Sequence, residues 1–295
     1  MSIRHFAKII FLFVFFDLHC GHASSHSLES RIWRERDGAF LSPRELTNDI
    51  FYSRFVVLGE THGFSAHQGR TAFLIAALAD RGRYPALVLE MLDPEGAEKV
   101  TEYRRAQPED ASDLAMALNW GGSGWPSFQY YKPIFEIALH AKLEIAGGDL
   151  PGRANKRQSS TDADGIDPRR LASWRDTMSK AHCDLISATE LDAAARLQIA
   201  RDDSMLQTAS RVAGEHGAIV VAGRSHVRRD RNLPRSIHPD EIRYIALIEA
   251  DTRSEPRMYL PSSINGAPAY DYIWFTPAKG GETACERLRR RGLIP

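Results

Sequence analysis

The stretch Phe55–Gly63 (FVVLGETHG) decides the fold: an apolar run with two β-branched residues passes directly into Gly59, Glu60, Thr61 and His62. A short continuous apolar run of this kind reads as a strand buried on both faces, and the polar residues after it mark where the chain leaves the sheet. Two other stretches repeat the design. Ala86–Leu89 (ALVL) ends in Glu90, and Ala218–Ala222 (AIVVA) ends in Gly223, Arg224, Ser225 and His226. Leu143–Ala146 (LEIA), Tyr244–Ile248 (YIALI) and Tyr272–Phe275 (YIWF) complete a set of six strands.

Longer amphipathic stretches lie between the strands. Phe64–Arg81 reads as a helix with Ser65–Gln68 as a capping box, which puts His67 in its first turn. Tyr131–Lys142 reads as a second helix, with Pro133 accommodated in the first turn. Leu191–His216, rich in Ala, Arg and Leu, reads as a long third one. Segments 119–129 and 147–167, rich in Gly, Ser and other turn formers, read as loops or lids. Alternating strands and helices predict an α/β fold: three layers, a mainly parallel β-sheet flanked by helices, in one compact domain over 49–295 that follows a lead-in at 24–48.

In open α/β sheets ligands bind beyond the carboxyl ends of the strands, so Glu60, His62, Glu90 and His226 are expected to converge on one edge. Two imidazoles and two carboxylates in one cleft suit proton transfer, or ligation of a divalent metal. For each residue alone the ordinary expectation is plainer: a Glu closing a strand pairs with a nearby Arg, and a His after a Gly belongs to a turn. Arg224, Arg228, Arg229 and Arg231 follow the fourth strand and offer guanidinium groups for an anionic ligand. Trp120, Trp125, Phe128, Tyr130 and Tyr131 offer walls for a flat apolar one.

The composition sets bounds. With 43% hydrophobic residues in 295, the chain can bury a full core. Lys and Arg (38) balance Asp and Glu (38), so no global field draws nucleic acid. At the amino end, Arg4 and Lys8 precede the apolar run Ile9–Phe16, which is too short to span a bilayer, and Gly21-His22-Ala23 offers a cleavage site. Residues 1–23 are therefore expected to be a signal peptide that sends the chain to the periplasm or cell envelope. Lipid anchoring through Cys20 fits less well, since Asp17 and His19 stand where a lipobox wants an aliphatic and a small residue. Cys183 and Cys285 are available to pair in an oxidising compartment.

Several of these stretches together resemble the ChaN family of exported haem-binding proteins, within the superfamily that includes Tiki-type metalloproteases and erythromycin esterases. The matching pieces are LGETHGFSAHQ at 58–68, VLEML at 88–92, LNW at 118–120, YKP at 131–133, QIARDDSM at 198–205, and VVAGRSHV at 220–227 followed by Leu233-Pro234. The resemblance implies haem bound between two copies of the chain, with Tyr131 as the iron ligand, Tyr130 beside it, and His67 as its helper. Trp125 and Arg228 complete the expected haem-binding set, and the expected role is haem or iron uptake. The esterase and protease relatives supply the alternative, a hydrolase in which Glu60, His62, Glu90 and His226 act on water or a metal. The sequence departs from the family pattern at Ala146–Asp149, where members commonly carry Ala-x-Asn, and at Trp125–Phe128, which replaces a Trp-x-Trp segment.

Overall fold

The computed structural model describes residues 28–106, 111–152, 165–232, 237–281 and 284–293. The leader, Cys20, Pro234 and most of the 147–167 loop lie outside the described residues. The strands are β1 (Ile32–Arg34), β2 (Phe40–Leu41), β3 (Phe55–Glu60), β4 (Ala86–Leu89), β5 (Ile145–Gly147), β6 (Ala218–Gly223), β7 (Ile242–Glu249) and β8 (Tyr272–Thr276). The described helices are α1 (Pro43–Ile50), α2 (Ser65–Ala79), α3 (Pro94–Ala106), α4 (Leu114–Ala117), α5 (Phe128–His140), α6 (Pro168–Ala181), α7 (Ala188–Val212), α8 (Arg229–Asn232) and α9 (Ala284–Arg290).

All six expected strands are present in one eight-stranded sheet of order β2-β1-β8-β7-β3-β6-β4-β5. Strands β8 through β5 are parallel neighbours, and only β1 runs antiparallel, against β8 and β2. All six residues of β3 and of β6 are buried, because both strands carry helices on both faces. On one face, Val56, Leu58, Leu89, Val221 and Leu247 pack with the apolar sides of α1, α2 and α5. On the other, Phe55, Val57, Val88 and Val220 pack against Met205, Leu206 and Ala209 of α7. Alternate residues of each strand thus feed opposite layers, which gives the three-layer arrangement. Among the described residues no helix is long and apolar enough to cross a membrane.

Three local expectations are corrected. The stretch 24–48 is more than a lead-in to the sheet, since β1 and β2 form its antiparallel edge and α1 begins at Pro43. The capping box at Ser65–Gln68 does not form: Phe64 is the N-cap and makes no side-chain cap bond. Gln68 instead donates to the Thr61 carbonyl (3.2 Å), and His67 accepts from the Thr61 amide (2.8 Å), so both side chains bind the loop after β3. Helix α5 starts at Phe128, capped by Ser127, which places Pro133 beyond the first turn. Its missing N–H falls opposite the carbonyl of Gln129, on an exposed turn.

Candidate functional site

Because β3, β6 and β4 are adjacent, their carboxyl ends deliver Glu60, Gly223 and Glu90 side by side, and Glu60 is in register with Gly223. Glu90 is the hub. Its Oε2 accepts the Gly223 amide at 2.6 Å and lies 3.4 Å from His62 Nε2. Its Oε1 lies 3.3 Å from His226 Nε2 and 3.0 Å from Arg201 of α7. His62 turns its other nitrogen to Glu60 Oε1 at 3.1 Å, and His226 turns its own to Asp202 Oδ1 at 2.7 Å. The result is an alternating chain, Glu60–His62–Glu90–His226–Asp202, across three strand ends and α7. Gly223 leaves room for this arrangement, since a Cβ there would fall 2.8 Å from His62 Nε2 and push the ring from its place on Glu90.

Electrostatics follow from this geometry. Burial opposes a charge on His62, but the carboxylates of Glu60 and Glu90 outweigh it and raise its pKa to about 9. His226 reaches about 9 in the same way, burial being outweighed by Glu90 and Asp202. Burial would raise Glu90, yet His226 and His62 hold it well below the usual carboxylate range. Both histidines are therefore cations at neutral pH. The four groups expected as a metal set close on one another, and among the described residues no group of three or more His, Cys, Asp or Glu is arranged to hold a metal ion.

The aromatic residues are brought to the same edge. Trp125 packs edge-on to His62 (centroids 4.9 Å), and the Tyr131 hydroxyl lies 3.3 Å from His62 Nδ1. Tyr131 is fully buried (0%) beneath Trp120, and burial together with the charges of Glu60 and Glu90 raises its phenol above the ordinary tyrosine value. Tyr130, one residue earlier on α5, is 37% exposed. It sits beside Gly63 at the rim.

Two expected haem-binding residues are not available in that role. His67 is buried with both ring nitrogens engaged, Nδ1 by the Thr61 amide and Nε2 by Thr276 Oγ1 (3.0 Å); burial, chiefly, lowers it to about 4, so it is neutral. Arg228 is buried, bidentate to Asp230 (3.0 and 2.7 Å), and donates to the Ser262 carbonyl. The rest of that arginine run is similarly spoken for: Arg224 pairs with Glu249, Arg229 with Asp271, and Arg231 stacks over Trp174 and donates to Ser225 O. Three of the four are thus paired with carboxylates and the fourth is buried on Trp174, so the run is engaged within the fold.

Sequence reasoning missed Asp202, Arg201 and Asp149. Arg201 bridges Glu90 and Asp149 (2.8 Å), and Asp202 accepts from Trp174 Nε1 (2.8 Å) as well as from His226. The signal for two of them lay in the QIARDDSM stretch, whose adjacent Arg and Asp stand on a helix that packs against the sheet.

Fold and site together define an open-sheet α/β protein with an acid–imidazole network at the carboxyl edge of its central strands. The model of the family described as "Haem-binding uptake, Tiki superfamily, ChaN" matches residues 46–237, about two thirds of the sequence, and the chain belongs to that family. A solved structure of cofacial heme binding to ChaN of Campylobacter jejuni is similar at TM-score 0.62 and 17% identity, covering 82% of this chain and 95% of that one. The type III effector HopBA1 is similar at TM-score 0.47 and 17% identity, covering 86% and 99%. At these identities the likeness to solved structures speaks to fold. No curated protein matches the sequence.

Proposed function

We propose that the protein binds haem at the rim of the carboxyl edge and serves haem or iron uptake in the cell envelope. The observation that carries this reading is the family match over 46–237, which spans every strand-end residue described above. The donor set at the rim fits the group: a phenol suits ferric iron, and an indole suits the face of a macrocycle. The inner cleft does not fit it, because His62, Glu90, Arg201 and His226 fill it. Tyr130 would hold the iron, Trp125 would line the ring, and His62, with 26% of its side chain exposed, would face the rim beside Trp125. When bound, haem supplies an iron centre whose chemistry is its own. A second copy of the chain facing the first across the haem belongs to the same reading. Export is supported by the leader-like residues 1–23 and by the Cys183–Cys285 disulfide, a bond that persists in oxidising compartments.

The test is a titration of the protein with ferric haem, followed in the visible spectrum, for wild type, Tyr130→Phe and Tyr131→Phe. Saturable binding with a tyrosinate-like spectrum, lost in Tyr130→Phe and kept in Tyr131→Phe, is the expected result. Absence of saturable binding in the wild type would end the haem reading. The hydrolase alternative is the weaker one, because a general base must be unprotonated and His62 holds its proton up to about pH 9.

A further inference from the structure

At the opposite, amino edge of the sheet a cleft of about 630 Å³ is lined by Tyr52, Arg54, Gly82, Arg83, Gly214 and His216, among others. At its base Arg83 is only 5% exposed. Its guanidinium donates to the carbonyls of His216 (3.1 Å), Ile50 (2.7 Å) and Ser53 (2.5 Å) and makes no ion pair with any described carboxylate. A fully buried arginine is ordinarily paired with an anion. Three carbonyls engage three of its five N–H groups and bring partial charges only. Burial accordingly lowers its pKa to about 10.

The surroundings suit an anion. Arg54 adds a second guanidinium, half-exposed and held only loosely by Glu241 at 3.7 Å. Gly217, at φ +75, lets the chain press on Arg54, since a Cβ there would fall 2.0 Å from the Arg54 carbonyl oxygen. Tyr52 is 90% exposed, a large flat ring at the mouth. Glu215 also lines the cleft but forms no ion pair with Arg83.

We propose that this cleft binds a small planar oxyanion, its phosphate or carboxylate group neutralising Arg83 and Arg54 and its ring lying on Tyr52. The site is independent of the haem reading. The experiment titrates the whole chain with inorganic phosphate, phenyl phosphate and benzoate, read by calorimetry and by amide chemical shifts. Saturable binding is expected, with shifts centred on Gly82, Gly214 and Gly217, and with phenyl phosphate tighter than inorganic phosphate. The stronger of phenyl phosphate and benzoate identifies the anion class. Arg54→Gln is expected to weaken binding by about tenfold, the value of one charge-assisted contact, and Tyr52→Ser to remove the preference for the ring. Both are surface changes, so they keep the test sound if an Arg83 variant fails to fold. Absence of saturation, shifts centred elsewhere, or unchanged affinity in Arg54→Gln overturns the proposal. Haem titration of Arg54→Gln should match wild type, which separates the two sites.

Discussion

Glu90 carries more of the site than any other residue, since two imidazolium rings, one guanidinium and one backbone amide all converge on its carboxylate. Glu90→Gln removes the only group shared by all of them and leaves buried cations facing one another. Stability should fall by about 3–5 kcal/mol in urea unfolding, the usual cost of breaking a buried ion pair from one side. A loss below 1 kcal/mol would mean that the network is solvated and weak. The pH dependence has a definite sign. His62 and His226 have folded pKa values of about 9, above the ordinary 6.5, so their contribution is fully present below about pH 6.5 and is lost as pH rises through 9. Glu90, depressed in the fold, contributes in the opposite sense, and its share is lost only in acid. Denaturation midpoints measured between pH 6 and 10 should decline steadily, and a flat profile would show that the rings are neutral. The four strand-end residues were legible because each interrupts an apolar run. Their partners were not: nothing in local sequence separates Asp202 from Asp203, and only the helix's orientation turns the first toward His226. The same holds for Tyr130 and Tyr131: nothing in local sequence shows that the first is exposed and the second fully buried.

The long central elements were readable from composition, since β3, β6 and α7 are long enough to display their pattern. Strands β1 and β2 were not, because three and two residues carry no periodicity, and β1 depends on pairing with β8 and β2 on pairing with β1. Helix α9, seven residues long, is fixed at Cys285 to Cys183, which lies just past the end of α6. A cross-link over 102 residues is worth about 2–4 kcal/mol through its restriction of the unfolded chain. Reduction, or Cys285→Ser, should lower the melting temperature, while the haem titration should be unchanged because neither cysteine belongs to the strand-end network. An unchanged melting temperature would show that the carboxyl-terminal helix adds nothing to the fold.

At the level of the whole molecule the two edges of one sheet have different characters. The carboxyl edge holds a closed, buried network under an aromatic rim; the amino edge is open, with an arginine that has no acidic partner among the described residues. Neither contrast is visible in the overall charge, which is zero. The antiparallel edge has a further consequence, for the order of folding. Ile32 pairs with Trp274, so the first strand cannot be seated until nearly the last one exists. At synthesis rates of about 5–20 residues per second that wait is on the order of tens of seconds, and closing so long a loop is slow in itself. The parallel core from β3 to β7 is therefore expected to assemble first, with residues 28–41 joining it last, by docking onto β8.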